Sequence, residues 1–184
     1  MVEKKRCTLD GVIVIHPDAF EDSRGMFMEA WNKRKYEELG VADEFVQDNV
    51  SCSKKDVLRG LHYQNPNPQG KLVTVLQGEV LDVVVDVRLN SATFGKWEAF
   101  VLSDRNKTQV FIPPGFAHGF VVRSDAACFF YKCTAPYSPA SEVTIRWDDP
   151  SLGIEWGTPN PIVSPKDAKG RRLSELPREM LFTV

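Results

Sequence analysis

The 184-residue sequence contains no apolar run of the roughly 18 residues that a membrane-spanning helix needs. Its first ten residues, MVEKKRCTLD, also lack the apolar segment of a secretory signal. We therefore expect a cytoplasmic protein without a membrane partner.

An excess of charge of either sign is missing as well. The 23 lysines and arginines nearly balance the 25 aspartates and glutamates, so the formal net charge is −2. Without a strong overall field the chain is not expected to bind nucleic acid. Any anionic ligand must therefore be met by a local cluster of cations.

Cysteine spacing of the kind found in metal or redox motifs is absent. No two of the four cysteines form a C-x-x-C pair; they are Cys7, Cys52, Cys128 and Cys133. Because cytoplasmic thiols stay reduced, we expect all four to be free.

Histidine is scarce, with three residues in the chain, and this disfavours a metal site. If His62 were a ligand, the next ligand position would fall on Gln64, whose amide binds metals poorly. His16 lies far away in a proline turn, and Arg59 and Lys71 would repel a divalent ion. The sequence therefore predicts a protein without a bound metal.

What the sequence does contain is a series of short apolar or alternating segments, with turn-forming residues about every ten positions. We predict strands at 11–15, 45–53, 72–76, 80–88, 97–102, 108–112, 120–122, 128–133 and 142–147. This spacing is typical of a sandwich or barrel of antiparallel strands. The length suits a single domain over 1–184.

Local signals refine this outline. A turn at 77–79 predicts a hairpin between the strands at 72–76 and 80–88, of which the second has one core-facing side. Asn32 is expected to cap a short helix over 33–39. Ser164 and Pro165 predict a helix start in the tail, 164–184, which we expect to hold one or two short helices or loop.

The stretch 57–76, VLRGLHYQNPNPQGKLVTVL, places Arg59, His62 and Lys71 close together in the chain. A histidine between two positive charges is expected to be uncharged, so that it can accept a proton. The same charges would hold an anionic ligand beside it. Taken alone, His62 could instead be a hydrogen-bonded structural residue, and Lys71 a solvated surface cation.

Five segments in register carry a resemblance to a known family; they are FEDSRGMFME, QDNVSCSKKDVLRGLHYQ, QGKLVTVLQGEVLDVVVDVR, IPPGFAHGF and SPKDAKG. The chain resembles the dTDP-4-dehydrorhamnose 3,5-epimerase family from about residue 11 to residue 174. The resemblance implies an all-β, cupin-type jelly roll with a few short peripheral helices. It also implies a homodimer with no metal or cofactor and a step in dTDP-L-rhamnose synthesis.

The resemblance also implies residue roles. His62 would be the base that removes a proton, Asp167 its carboxylate partner, Tyr131 the acid on the opposite face and Lys71 the cation beside the keto oxygen. The expected substrate contacts are Arg24, Glu29, Gln47, Asp48, Asn49, Arg59, His118, Glu142 and Lys166. Arg24 and Glu29 are expected to reach the site from N-terminal strands that are exchanged between protomers.

Without the family, two of these residues have simpler interpretations. Asp167 could cap the tail helix, and Tyr131 could be a core aromatic residue. The competing functions are a related epimerase that inverts one carbon, a metal-dependent cupin and a non-catalytic sugar-binding cupin.

Overall fold

The computed structural model describes residues 3–5 and 7–183, and only the backbone of 3–5. Of the predicted tail, Val184 lies outside the described residues. The strands are β1 Glu3–Lys5, β2 Ile13–His16, β3 Ala19–Asp22, β4 Gly25–Met28, β5 Gln47–Lys54, β6 Leu58–Gln64, β7 Lys71–Gln77, β8 Glu79–Asp86, β9 Trp97–Ser103, β10 Gln109–Ile112, β11 Phe116–Val122, β12 Ala126–Cys133 and β13 Glu142–Thr144. The helix α1 spans Lys33–Glu38.

The strands form two antiparallel sheets that face each other. The six-stranded sheet has the order β1-β2-β10-β7-β12-β5, and the five-stranded sheet has the order β13-β6-β11-β8-β9. From β5 to β13 the chain changes sheet at every step except from β8 to β9, which are neighbours in the five-stranded sheet. The two layers therefore form a jelly roll. The predicted all-β jelly-roll class is confirmed.

The hydrophobic core has three parts. One lies between the sheets, where β7 and β12 meet β8 and β11. A second lies on the outer face of the five-stranded sheet, which the C-terminal segment covers with side chains that include Leu152, Trp156 and Leu173. The third lies under α1, where Tyr36 and Val41 cover β2 and β10. Each sheet is therefore partly buried on both faces.

The predicted hairpin between β7 and β8 is wrong. Gly78 does connect the two strands, with φ of +82°, but β7 belongs to the six-stranded sheet and β8 to the five-stranded sheet. The turn therefore crosses from one layer to the other. Local turn chemistry cannot distinguish a hairpin from such a corner, since both need the same sharp reversal.

The predicted core-facing side of β8 is confirmed, and the opposite side, for which no burial was predicted, is buried as well. Leu81, Val83 and Val85 pack outward against the C-terminal segment. The opposite side, with Asp82 and Val84, faces the space between the sheets and is also buried. A tail that covers the sheet from far along the chain leaves no sign in the local alternation.

The predicted helix and its cap are confirmed. The side chain of Asn32 accepts a hydrogen bond from the backbone N–H of Lys35, which caps α1. In the tail, Oγ of Ser164 likewise accepts from the backbone N–H of Asp167, and the turn that follows is a 3-10 helix, Asp167–Lys169. Over the described residues 164–183, the helices of the tail are three short 3-10 helices, Asp167–Lys169, Leu173–Glu175 and Arg178–Met180.

One prediction about the cysteines is wrong, since Cys52 and Cys128 are joined by a disulfide. They lie directly opposite each other in the pairing of β5 with β12. This cross-strand register brings the two sulfurs together although the residues are 76 positions apart. Cys7 and Cys133 are free, as predicted.

A separate two-stranded hairpin, β3–β4, projects from the sheets. Its aromatic side chains are exposed, with 64% of Phe20 and 69% of Phe27 accessible. Exposed aromatic residues of this kind are typical of a surface that contacts another molecule. None of the helices in the described part of the chain is long and apolar enough to span a membrane.

Candidate active site

A cavity of about 750 Å³ lies between the two sheets. Its volume falls in the range of small-molecule binding sites, about 300–1,000 Å³. Ten of the thirteen predicted site residues line it; they are Gln47, Asn49, Arg59, His62, Lys71, His118, Tyr131, Glu142, Lys166 and Asp167. Residues more than a hundred positions apart in the sequence thus share one chamber.

His62 and Asp167 form a pair on one wall of the cavity. Nε2 of His62 lies 2.7 Å from Oδ1 of Asp167, whose side chain is 3% exposed. Burial alone would raise the pKa of Asp167, but the hydrogen bond and the charge of His62 outweigh it and lower this pKa below 3.8. The carboxylate therefore stays ionised and fixes the imidazole, rather than capping the tail turn.

Glu142 lies on the other side of the His62 ring. Its Oε1 is 3.9 Å from Nδ1 of His62, and both its oxygens are 2.8 Å from Nζ of Lys166. The hydroxyl of Tyr137 donates to Oε2 of Glu142 over 2.7 Å. Burial acts to raise the pKa of Glu142, yet these two hydrogen bonds lower it. The base candidate thus lies between two ionised carboxylates.

Lys71 and Tyr131 lie in the opposite sheet. Nζ of Lys71 is 6.0 Å from the ring centroid of Tyr131, and no carboxylate of the described residues lies within 4 Å of this ammonium group. Burial raises the pKa of Tyr131, so the phenol keeps its proton. Burial also lowers the pKa of Lys71, although Cys133, Glu142 and Asp82 oppose this shift.

His118 lies within β11, which begins four residues before the strand predicted at 120–122. It is directly opposite His62 in the pairing of β11 with β6. Its Nε2 lies 2.6 Å from Oδ2 of Asp82, so the cavity contains a second histidine–carboxylate pair. Asp82 was missed by the sequence reasoning, which placed it on the face opposite the core. The signal available was a carboxylate in the apolar run VLDVVVD.

Glycine makes this arrangement possible where β6 and β11 approach each other. Gly60 has φ of +122°, and a Cβ on it would lie 2.5 Å from Cα of Gly119 and 2.8 Å from the carbonyl oxygen of His118. Only residues without a side chain allow such a close approach. Gly60 and Gly119 therefore allow β6, which carries His62, and β11, which carries His118, to lie close together.

Three of the predicted residues are not brought to the cavity within one chain. Asp48 points to the outer face of β5, where it pairs with Lys132. Arg24 pairs with Asp22 on the exposed β3–β4 hairpin, and Glu29 pairs with Lys35. The alternation along β5 explains why Gln47 and Asn49 face inward while the residue between them does not.

Arg59 and Gln47 complete the polar lining. Nε and Nη2 of Arg59 donate to Oγ of Ser53 over 3.2 and 3.1 Å, and Oε1 of Gln47 accepts from the backbone N–H of Tyr137. The cavity thus offers several cationic and amide donors to an anionic ligand. No three His, Cys, Asp or Glu side chains of the described ranges lie close enough together to hold a metal ion.

Comparison with known proteins identifies the family. The family model for dTDP-4-dehydrorhamnose 3,5-epimerase matches residues 6–175. The chain belongs to this family. Relatives that carry the family name are epimerases, which are isomerases. This chain is therefore an enzyme, as the resemblance of the sequence implied.

Individual relatives agree over nearly the whole length. A dTDP-4-dehydrorhamnose 3,5-epimerase from Shigella flexneri is 53% identical over 163 residues. The match covers 88% of this chain and 90% of the relative. The structure of a dTDP-6-deoxy-D-glucose-3,5-epimerase from Legionella pneumophila in complex with dTDP-4-keto-L-rhamnose has a TM-score of 0.97 and 48% identity, and it covers 100% of this chain and 99% of that one.

A relative that inverts one centre is also similar. The 3′-monoepimerase from Streptomyces bikiniensis, solved in complex with dTDP-quinovose, has a TM-score of 0.90 and 32% identity. The match covers 96% of this chain and 91% of that one. This chain therefore has the fold of a 3′-monoepimerase as well as that of a 3,5-epimerase.

Proposed function

We propose that this enzyme epimerises dTDP-4-dehydro-6-deoxy-D-glucose at carbons 3 and 5, giving dTDP-4-dehydro-L-rhamnose for dTDP-L-rhamnose synthesis. The observation that carries the proposal is the pairing of His62 with Asp167 in the same cavity as Tyr131 and Lys71. Inversion needs a proton removed from one face of a carbon and returned to the other. A base and an acid from opposing sheets meet that need.

His62 is the proposed base. Asp167 accepts the hydrogen on Nε2, so Nδ1 is the nitrogen left with a lone pair for the substrate proton. The C–H proton moves to Nδ1, and the electron pair of that bond forms a double bond to the carbonyl carbon of the sugar. The π electrons of the carbonyl group move to the keto oxygen, which gives an enolate. A positioned base contributes about 10²–10⁴-fold to such a step.

Lys71 is the proposed group that stabilises this enolate. It is half-buried, lines the cavity and has no ion pair with any residue that the structure describes, so its charge is available to the developing oxyanion. In a site shielded from water, a donor of this kind is worth about 10²–10³-fold. Tyr131 then gives its proton to the opposite face of the carbon. The Tyr131 phenolate regains a proton from solvent and His62 releases its proton to solvent, which restores both groups.

The remaining cavity residues are the proposed contacts for the nucleotide. Arg59, His118 and Lys166 supply donors suited to a diphosphate, and Gln47 and Asn49 supply amide groups. Tyr137 presents an aromatic face at the cavity, with 50% of its surface exposed, and is suited to stack on a thymine base. No redox or metal cofactor is part of the proposed reaction.

We also propose a homodimer in which the β3–β4 hairpin reaches the cavity of the partner. The hairpin carries Arg24 and exposes Phe20, Met26 and Phe27 to solvent. A second copy of the chain would cover these side chains and add the cation to a site that the monomer leaves open. Co-expressed Arg24→Ala and His62→Ala chains test this exchange. Mixed dimers would recover activity, because one site in each then has both intact residues.

The reaction is proposed to take place in the cytoplasm, where nucleoside triphosphates and the sugar nucleotides made from them are found. The disulfide between Cys52 and Cys128 lies on the outer face of the six-stranded sheet. None of the proposed catalytic side chains depends on it for a contact.

A single experiment tests the reaction. The ketosugar nucleotide is incubated with the purified enzyme in deuterated water and followed by proton NMR. We expect deuterium at both carbon 3 and carbon 5, together with inversion of both centres. Deuterium at one carbon would instead favour a mono-epimerase, the second candidate, which the similarity to the Streptomyces bikiniensis enzyme supports. A lack of any exchange would overturn both.

A further inference from the structure

Asp82 and His118 form a histidine–carboxylate pair beside that of His62 and Asp167. The two side chains are almost completely buried, with 0% of Asp82 and 7% of His118 exposed. Nε2 of His118 is 2.6 Å from Oδ2 of Asp82. Only His118 lines the cavity, so the carboxylate influences the cavity through the imidazole ring.

The other buried aspartate on β8 shows what a structural carboxylate looks like in this strand. Asp86 accepts from the backbone and guanidinium of Arg88 and from the hydroxyls of Ser91 and Thr93. Asp82 has its one bond to His118, and Oδ1 of Asp82 finds no hydrogen-bond partner in the described part of the chain. Burying a carboxylate with one oxygen unpaired costs free energy. Asp82 therefore lacks the contacts by which Asp86 stabilises the fold.

The bond to Asp82 determines which nitrogen of His118 a ligand can reach. Because Nε2 is engaged, Nδ1 is the ring nitrogen that remains, and it has no hydrogen-bond partner among residues 7–183. The ring of Phe129 stacks on the imidazole with centroids 6.0 Å apart and 22° between the planes, which limits rotation of the ring. The hydrogen bond and the stacking together therefore fix the direction in which Nδ1 of His118 points.

The charges around His118 favour an anion at Nδ1. Burial lowers the pKa of His118, and Lys71 and His62 lower it further, whereas Asp82 opposes the shift. An anionic group entering the cavity would add to the effect of Asp82 and stabilise a proton on Nδ1. Arg59, on the neighbouring strand β6, lines the same space.

We propose that Asp82 is a positioning residue for substrate binding, which holds the ring of His118 through Nε2 so that Nδ1 meets the diphosphate of the nucleotide sugar. The identity of this anion rests on the proposed function. Asp82 itself touches no substrate, and its effect passes entirely through His118.

The variant Asp82→Asn tests this inference, because the amide keeps the size of the carboxylate but loses the negative charge that stabilises a second proton on the ring of His118. The dissociation constant of dTDP, measured by isothermal titration calorimetry, is expected to rise about tenfold or more. For the ketosugar nucleotide, KM should rise in parallel while kcat changes much less. Asp82→Ser is a second variant with the same expected direction.

The matched control is Asp86→Asn on the same strand. This change should lower the melting temperature, because it breaks a full set of hydrogen bonds, and leave the dissociation constant of dTDP unchanged. If the Asp82 variants lowered the melting temperature but left the dissociation constant of dTDP unchanged, Asp82 would have a structural role and the proposal would fail.

A double-mutant cycle separates action through His118 from any other effect. In a His118→Ala background, Asp82→Asn should weaken dTDP binding no further. An equal further loss in that background would overturn the proposal. Binding of dTDP does not require catalysis, so this test is independent of the reaction. If the unmodified protein and its variants bound dTDP as expected here but the sugar was not epimerised, the proposed function would be refuted and this inference would stand.

Discussion

The two walls of the cavity are built on different physical principles. The base wall, named for the proposed base and formed by His62, Asp167 and Glu142, is a network of close contacts in which both carboxylates have lowered pKa values. The acid wall, named for the proposed acid and formed by Lys71 and Tyr131, has no such ion pairs with the residues that the structure describes.

On the acid wall, burial shifts both groups toward their neutral forms, since it raises the pKa of Tyr131 and lowers that of Lys71. The comparison indicates that contacts orient the base, whereas exclusion of water sets the strength of the acid and of the oxyanion donor. Substitutions on the two walls should therefore fail in different ways.

The largest effect is expected for His62→Ala. Without the base, neither proton removal nor inversion can proceed, so kcat should fall by about 10²–10⁴-fold. Deuterium incorporation from solvent should fall equally, as measured by NMR. The exposed Lys33→Ala change is the control and should leave both rates unaltered. Substantial exchange in His62→Ala would place the base elsewhere.

Tyr131→Phe should separate the walls. Inversion is expected to fall by about 10²–10³-fold, a loss in the range found for general acid catalysis. His62 can still remove the proton and return deuterium to the same face, so exchange should exceed inversion. The ratio of deuterium incorporation to epimerised product measures this difference. If the ratio stayed at the value of the unmodified enzyme, Tyr131 would not be the acid.

Lys71→Arg should change the pH profile. Because burial lowers the pKa of Lys71 below 10.5, the ammonium charge is lost at a lower pH than in an ordinary lysine, and kcat/KM should decline as pH rises through that value. The phenol of Tyr131 has a raised pKa and stays protonated over this interval. In Lys71→Arg the guanidinium stays charged, so the alkaline decline should move to higher pH. An unmoved decline would assign it to another group.

Asp167→Asn should have the smallest effect on rate. Loss of a charge-assisted hydrogen bond corresponds to about tenfold to a hundredfold in kcat. The pKa of Asp167 is lowered in the folded chain, so its carboxylate stabilises the fold above pH 3.8 and this contribution disappears as pH falls through the folded pKa.

Urea unfolding at several pH values measures this contribution. The difference in free energy of unfolding between the unmodified enzyme and Asp167→Asn should be full at neutral pH and shrink below 3.8. Asp43→Asn, at an exposed position, is the control and should show no such change. A difference that did not depend on pH would mean that the ionised carboxylate of Asp167 does not stabilise the fold.

The sequence by itself determined the strand pattern, the cap of α1 by Asn32 and the tail turn at Ser164, because these depend on neighbours a few residues away. Through its long motifs it also determined the family and most of the cavity residues. Sequence reasoning placed Arg59, His62 and Lys71 together because they lie within thirteen positions of one another.

Only the tertiary structure decided what depends on distant segments. The corner at Gly78, the burial of Asp82 and the disulfide between Cys52 and Cys128 were each predicted wrongly or missed. The physical reason is common to all three. Side-chain alternation reports that a face is buried, but which sheet or tail covers it, and which side chain of another strand lies opposite, is determined by the packing of elements far apart in the chain.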